Sequence, residues 1–228
     1  MTPSYQAPVQ LTRQGILFDM DGVLISSLGS VERSWTTWAL ARGIDPALAI
    51  HTAHGCRAIE TAQKLRPDLD PETELRFIED IEIADQEGVA VLPGVPALLA
   101  ALPADRWTVV TSATERLARV RLAAAGIPVP ARFIAADMVT QGKPNPEPYL
   151  RGAELLGLPP ADCLVIEDSP SGTRAGSAAG CTVLGTLFSH PADQLTAAHY
   201  LVNDLTGLQV QPREGGLTLT FTPISMSK

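Results

Sequence analysis

Short apolar runs alternate along the chain with longer segments in which apolar residues recur every three to four positions. The runs fall at 15–18, 107–111, 132–135, 163–166, 181–185 and 200–202. Brief apolar runs bounded by turn residues predict buried strands. Helical periodicity covers 96–102, 115–125, 147–156 and 171–179, and Gly126, Gly157 and Gly180 each follow such a segment. A glycine belongs there, because it closes a helix in the left-handed region. Strand and helix alternating at this spacing predict parallel βαβ units and an α/β fold.

Two stretches break the alternation. Between 27 and 91 no strand is evident, and segments 31–42, 54–65 and 71–86 all read as helical. The last places Leu75, Ile78, Ile81 and Ile83 among many acidic residues. An interruption of this length is too long for a loop. It predicts a small helical domain set over the strand ends, with Leu92-Pro93-Gly94 marking the return. The chain then divides into a core of residues 1–26 and 92–228 and a helical insertion of residues 27–91. The second exception is the tail, where 209–211 and 217–221 alternate polar and apolar around 212–216. That pattern predicts a β-hairpin at the edge of the sheet.

Composition narrows the function classes. The chain has 228 residues, 45% of them hydrophobic, and a formal net charge of −8. This balance argues against a nucleic-acid footprint and against attraction to an anionic membrane. No apolar run is long enough to span a bilayer. Residues 1–14 are polar and proline-bearing, without a signal-peptide apolar region. Cys56, Cys163 and Cys181 lie far apart without metal-ligand spacing, as expected of reduced thiols in a cytoplasmic protein. Nothing in the sequence requires more than a monomer. An acidic protein can still bind a phosphate ester where its site is locally positive.

The chemistry concentrates at strand ends. Asp19-Met20-Asp21-Gly22 follows the apolar run Ile16-Leu17-Phe18. It places two carboxylates two residues apart at the C-terminal end of a predicted strand, where open α/β folds hold their ligands. Carboxylates this close share a proton, bind a cation, or divide nucleophilic and acid–base roles. Asp and Gly are also ordinary turn residues. At the next strand end stands Thr111-Ser112-Ala113-Thr114, where a hydroxyl either binds a phosphate oxygen or caps the following helix. Lys143 lies in a loop stiffened by Pro144, Pro146 and Pro148, and lysine is scarce in this chain. A fixed lysine over the strand ends would neutralise a phosphoryl group; a solvated surface lysine is the alternative. Glu167-Asp168 ends the run at 163–166, and such hard oxygen ligands suit magnesium. The acidic pair would equally suit a helix N-terminus. Four strand ends carrying Asp/Asp, Ser, Lys and Glu/Asp together match one phosphoryl-transfer site. The histidines 51, 54, 190 and 199 form no metal spacing, and His190 and His199 read as surface residues. Trp35 and Trp38 read as packing within the helical insertion.

These motifs resemble those of the haloacid dehalogenase superfamily. The resemblance runs from Gly15 to about Val202 and covers Phe18-Asp19-Met20-Asp21-Gly22-Val23-Leu24, Ser112, Lys143 in Gly-Lys-Pro-Asn-Pro-Glu-Pro-Tyr, and Glu167-Asp168-Ser169-Pro170-Ser171-Gly172. Within it, Val31–Trp35 and Glu87–Gly94 are similar to the sugar-phosphate phosphatases of the phosphoglucomutase-like branch. The resemblance implies a Rossmann-like three-layer core with a parallel sheet, plus an inserted α-helical cap. It implies Asp19 as nucleophile, forming an aspartyl-phosphate, and Asp21 as general acid and base. It implies Mg²⁺ held by Asp19, the Asp21 carbonyl and Asp168, with Glu167 as ligand or as support. It assigns phosphate binding to Ser112, Lys143 and the Ala113 backbone, and substrate contact to Arg57, with His54 a further candidate. The implied substrate is a small phosphorylated sugar or polyol. The alternatives are a β-phosphoglucomutase-like isomerase and a non-catalytic phosphate-binding protein. Val31 stands where the mutases carry a histidine, which weakens the isomerase reading, and Asp21 sets the chain apart from dehalogenases.

Overall fold

The computed structural model describes residues 6–53 and 55–224. Its centre is a parallel sheet of β2 (Gly15–Phe18), β5 (Trp107–Val109), β6 (Cys163–Glu167), β7 (Thr182–Thr186) and β8 (Tyr200–Val202), in the order β5-β2-β6-β7-β8. β2 and β6 are buried throughout, which is why they read as uninterrupted apolar runs. From β2 the chain crosses to β5 on one side and then to β6 on the other. A crevice opens at such a switch, beyond the carboxyl ends of the strands.

Helices cover both faces. One cluster joins Phe18, Ile166 and Leu184 to Leu98 of α5 (Val95–Ala101) and Leu122 of α6 (Glu115–Ala124). The other joins Leu17, Val165 and Val183 to Tyr149 of α7 (Glu147–Leu155) and Ala175 of α8 (Pro170–Ala178). Successive residues of β2 thus feed opposite layers, as strand pleating requires.

Between β2 and β5 lie α1 (Leu28–Arg42), α2 (Pro46–Ala53), α3 (Ala58–Leu65) and α4 (Pro71–Ala84). They share a core of their own around Trp35, Trp38, Ala49, Ala62 and Ile78. The two indoles meet edge to face at 5.3 Å, and Trp38 Nε1 donates to Glu74 Oε2 at 2.7 Å. Asp70 caps α4 by accepting from the Thr73 N–H at 2.9 Å, and Pro71 opens the helix.

Several expectations are corrected. The helix expected over 54–65 begins only at Ala58; α2 ends at Ala53, and Gly55, at φ +69°, takes part in the turn between them. Residues 27–91 are not free of strand: β3 (Ile25–Ser26) pairs antiparallel with β4 (Ala90–Val91) where the chain leaves and re-enters the core. Residues 132–135 make only one bridge, between Val110 and Ile134: Arg132 O accepts from the Thr108 hydroxyl instead of a strand N–H, and the chain turns into a 3-10 helix at Ala136. The tail hairpin of β9 (Gln209–Arg213) and β10 (Gly216–Phe221) does not extend the parallel sheet. It joins β1 (Val9–Arg13) in a separate antiparallel sheet, β1-β10-β9, and buries Leu217, Leu219 and Phe221 against the main core. β1 lies within a stretch that reads as merely polar; its alternation of Val9 and Leu11 with Gln10 and Thr12 is the strand signal.

Candidate active site

The turn after β2 sets the geometry. The Asp19 N–H donates to Ile166 O, so Asp19 still follows the β6 edge, and the next residues coil back as Leu24 and Ile25 donate to Met20 O. Gly22 sits at φ +81°, and a Cβ there would lie 1.8 Å from Asp168 Oδ2. Glycine is needed on both counts: for the left-handed backbone, and to let the Asp168 carboxylate approach the turn.

Lys143 is 2% exposed. Its ammonium donates to Asp19 Oδ1 at 2.6 Å, Glu167 Oε1 at 2.7 Å and Val110 O at 3.0 Å, which uses all three protons. It also lies 5.0 Å over the Tyr149 ring. The loop that carries it is tied down, because the Thr140 and Gln141 N–H both donate to the Glu147 carboxylate. The solvated-lysine alternative is therefore excluded.

Glu167 is wholly buried. Oε1 accepts from Lys143 and from the Tyr149 hydroxyl at 2.9 Å; Oε2 accepts from the Asp168 N–H, the Ser169 N–H and Ser169 Oγ. Five donors occupy its lone pairs, so its carboxylate is engaged in holding Lys143 and the start of α8. Gly172 makes room for it, since a Cβ there would stand 1.6 Å from Oε1. Tyr149 and Gly172 both stand inside the motifs quoted from the sequence, which assign no role to either; the structure makes them the support of Glu167.

Asp19, Glu167 and Asp168 offer oxygens that all lie within 4.8 Å of one another. Burial pushes the Asp19 carboxyl up to about 7, against the pull of Lys143. Burial, then the charges of Glu167 and Asp19, hold Asp168 well above its ordinary value. Burial would raise Glu167 too, but Lys143 and the backbone donors outweigh it and hold it below the usual range. Lys143 stays above its ordinary value despite burial, because Asp19 and Glu167 face it. One ammonium cannot balance three carboxylates in their ionised forms. A hard divalent cation with oxygen preference fits that donor set.

Asp21 lies at the rim, its side chain 29% exposed. Oδ1 accepts from Ser27 Oγ at 2.5 Å and from Arg121 Nη1 at 3.1 Å. Arg121 is not among the residues singled out by the strand-end motifs. Its signal is a charge on the apolar stripe of α6, beside Leu117, Ala118 and Leu122. Ser112 lies at the same cleft, with Oγ 3.5 Å from Gly55 O, and Thr114 rather than Ser112 caps α6. The Ala113 N–H is engaged by Thr111 Oγ1 at 3.0 Å.

The cleft between the helical insertion and the sheet has a volume of about 360 Å³. Val31, Trp35, Ile59 and Leu75 line its helical wall, with Glu79 and Glu82. Arg57 also lines it, yet its guanidinium binds core carbonyls at Val139 (3.0 Å) and Thr140 (3.1 Å), and Glu60 at 2.5 Å. It clasps insertion to core rather than standing free. His54 lies outside the described residues. His190 is not the surface residue its sequence context implies: it lines the cleft, with Nδ1 3.2 Å from Asp168 O. His199 is exposed, and its Nδ1 accepts from the Val183 N–H. Among the described residues no helix is long and apolar enough to cross a membrane.

The chain is similar to proteins of known name. The chain is 39% identical over 210 residues to hexitol phosphatase A of Escherichia coli (strain K12), covering 89% of this chain and 96% of that protein. It is 34% identical over 200 residues to glycerol-1-phosphate phosphohydrolase 2 of Saccharomyces cerevisiae, covering 82% and 80%. A hydrolase structure from Pseudomonas syringae superposes with a TM-score of 0.76 at 24% identity, over 85% of this chain and 95% of that one. The family model that matches residues 14–180 is that of the haloacid dehalogenase-like hydrolases, and the chain belongs to that family, with an α-helical cap inserted in its Rossmann-like core.

Proposed function

We propose that this protein is a magnesium-dependent phosphatase that hydrolyses a small sugar or polyol phosphate monoester through an aspartyl-phosphate. The observation that carries the proposal is the Asp19–Lys143–Glu167 cluster at the floor of the cleft, with Asp21 two residues on and Ser112 at the neighbouring strand end. The named activities of the relatives support the same class of substrate.

In this reading Asp19 attacks phosphorus, and the ester P–O bond breaks as a bond from Asp19 oxygen forms. Asp21 gives the departing alkoxide a proton. It then takes one from the water that attacks the aspartyl-phosphate, which releases inorganic phosphate and restores Asp19. Lys143 neutralises charge on the transferring group, and Ser112 Oγ donates to it. Asp19, Asp168 and the Asp21 carbonyl would hold magnesium, which when bound supplies charge compensation to carboxylates and phosphate oxygens. Glu167 would act from behind, by fixing Lys143. The apolar wall of Val31, Trp35 and Leu75 would exclude water from the reacting centre and pack the carbon skeleton of the substrate.

The test is phosphate release from a panel of hexose, hexitol, glycerol and glycolate phosphates, with Mg²⁺ and with EDTA. Metal-dependent release from a related group of sugar or polyol esters is expected. Asp19→Asn is expected to abolish it with an unchanged circular dichroism spectrum. Near wild-type turnover by Asp19→Asn would refute the nucleophile.

A further inference from the structure

Arg121 is 3% exposed and Glu82 is 5% exposed, and both lie where the α4 helix of the cap meets α6 of the core. Arg121 Nη1 donates to Asp21 Oδ1 and Nη2 donates to Glu82 Oε1, each at 3.1 Å. The guanidinium Nε has no partner among the described residues. α4 is seated on α6 by further polar contacts next to this pair. The Thr114 hydroxyl donates to Glu79, and Arg116 pairs with Glu79 and Asp80, each at 2.8 Å.

Stability alone does not explain such an arrangement. Burying an arginine between two carboxylates brings a desolvation cost that apolar residues of similar volume would avoid. What the arrangement does achieve is directional. Arg121 and Ser27 both hold Oδ1 of Asp21, and no donor among the described residues reaches Oδ2. One oxygen is anchored while the other stays open to the cleft. A guanidinium is a planar fork, so the bond that Nη2 donates to Glu82 fixes the direction in which Nη1 points.

We propose that Arg121 and Glu82 are positioning residues that aim Asp21 for proton transfer to the leaving group, and that they tie this alignment to the seating of the cap. The inference rests on the phosphatase reading. Neither residue touches the phosphoryl group. Glu82 comes from the cap and Asp21 from the core, so the chain Glu82–Arg121–Asp21 is complete only when α4 lies on α6. Formation of the aspartyl-phosphate then depends on the pair for an ester whose alkoxide must be protonated and not for one whose leaving group departs without a proton, whereas its hydrolysis, in which Asp21 takes a proton from water, depends on the pair for both.

The experiment compares a polyol phosphate with p-nitrophenyl phosphate, whose phenolate leaves unprotonated, in the full-length protein with Mg²⁺. For Arg121→Gln, kcat/KM on the polyol phosphate, which reports the steps up to departure of the alcohol, is expected to fall by roughly tenfold or more, since positioned acid–base catalysis contributes about 10²–10⁴-fold. On p-nitrophenyl phosphate kcat/KM is expected to stay within about threefold. Glu82→Gln keeps volume and leaves Arg121 on Asp21, so it guards against misfolding of the first variant; it is expected to show the same selective loss, smaller in size. Parallel loss of kcat/KM on both substrates, or no loss on the polyol phosphate, would overturn the positioning role. Wild-type protein inert on both esters would instead refute the phosphatase reading itself.

Discussion

Replacing Glu167 by glutamine is isosteric, yet it should be among the most damaging single changes in this fold. Glu167 is fully buried and accepts five hydrogen bonds, three of them from the Asp168 N–H, the Ser169 N–H and Ser169 Oγ. An amide has one acceptor oxygen and one NH₂. Turned one way, the NH₂ faces Lys143 Nζ and the Tyr149 hydroxyl; turned the other, it faces two backbone donors. With an effective dielectric constant of about 20, unit charges 2.7 Å apart, the separation of Lys143 and Glu167, attract by about 6 kcal/mol before desolvation is set against it. Measured losses on breaking one side of a buried pair run to about 3–5 kcal/mol; Lys143 would keep Asp19, but the glutamine also leaves buried donors unmatched, at about 1–3 kcal/mol each. The expected destabilisation is therefore about 4 kcal/mol. The assay is urea unfolding in EDTA, followed by tryptophan fluorescence. With a slope of about 2–3 kcal/mol/M, the midpoint should fall by roughly 1.5 M. The exposed carboxylate of Asp68, replaced by asparagine, is the control and should leave the midpoint in place. A drop for Glu167→Gln below about 0.4 M, or about 1 kcal/mol, would show that Lys143 and the α8 N-terminus do not depend on this carboxylate.

Other outcomes follow from the same contacts. Gly22→Ala should abolish phosphate release and lower Tm, because its Cβ would meet Asp168 Oδ2 at 1.8 Å; retained activity would show that the turn can shift. The Arg42 guanidinium, against burial, holds the Glu74 carboxyl below its ordinary 4.5. Its stabilising contribution is full above that unfolded value and is lost as pH falls through the lower folded value. The Tm gap between wild type and Glu74→Gln should therefore be widest near neutrality and close in acid, and a gap that widens in acid would reverse the assignment. Burial pushes the Cys163 thiol up to about 11 and the Cys181 thiol up to about 12. Titration of the native protein with an aromatic disulfide reagent near pH 8 should modify Cys56 first, since it lines the cleft, and reach the other two only on unfolding.

The strand-end carboxylates were legible in the sequence because β2 and β6 are buried on both faces. Their apolar runs leave no ambiguity about where the strand stops and the chemistry begins. The same burial makes the end of β5 legible at Val109, with buried Val110 next to it, and so places Ser112. β1 was harder: its residues are half-buried, so it offers only a weak alternation over five positions. The break between α2 and α3 depends on Gly55–Arg57, where the chain turns to let Arg57 reach core carbonyls; local periodicity carries no trace of that distant partner.

The partners of the motif residues were the least legible part, and the reason is physical. Asp19, Lys143 and Glu167 are separated by more than a hundred residues at their extremes, and each alone has an ordinary structural explanation. What makes them a site is that buried groups of opposite charge meet there, which is a property of the fold. Arg121 shows the one exception that sequence offers. A charge on an otherwise apolar helical stripe must find an opposite charge when buried, and on α6 it finds two. Reading such misplaced charges as requests for partners would have pointed across the cleft to Asp21 and to an acidic residue of the helical insertion. The acidic face of α4, which reads in isolation as a solvated surface, supplies that residue in Glu82 and supplies Glu79 beside it. The cap therefore meets the core through charge, and the nearest core carboxylate in that network is Asp21, one of the two that motivate the proposed chemistry.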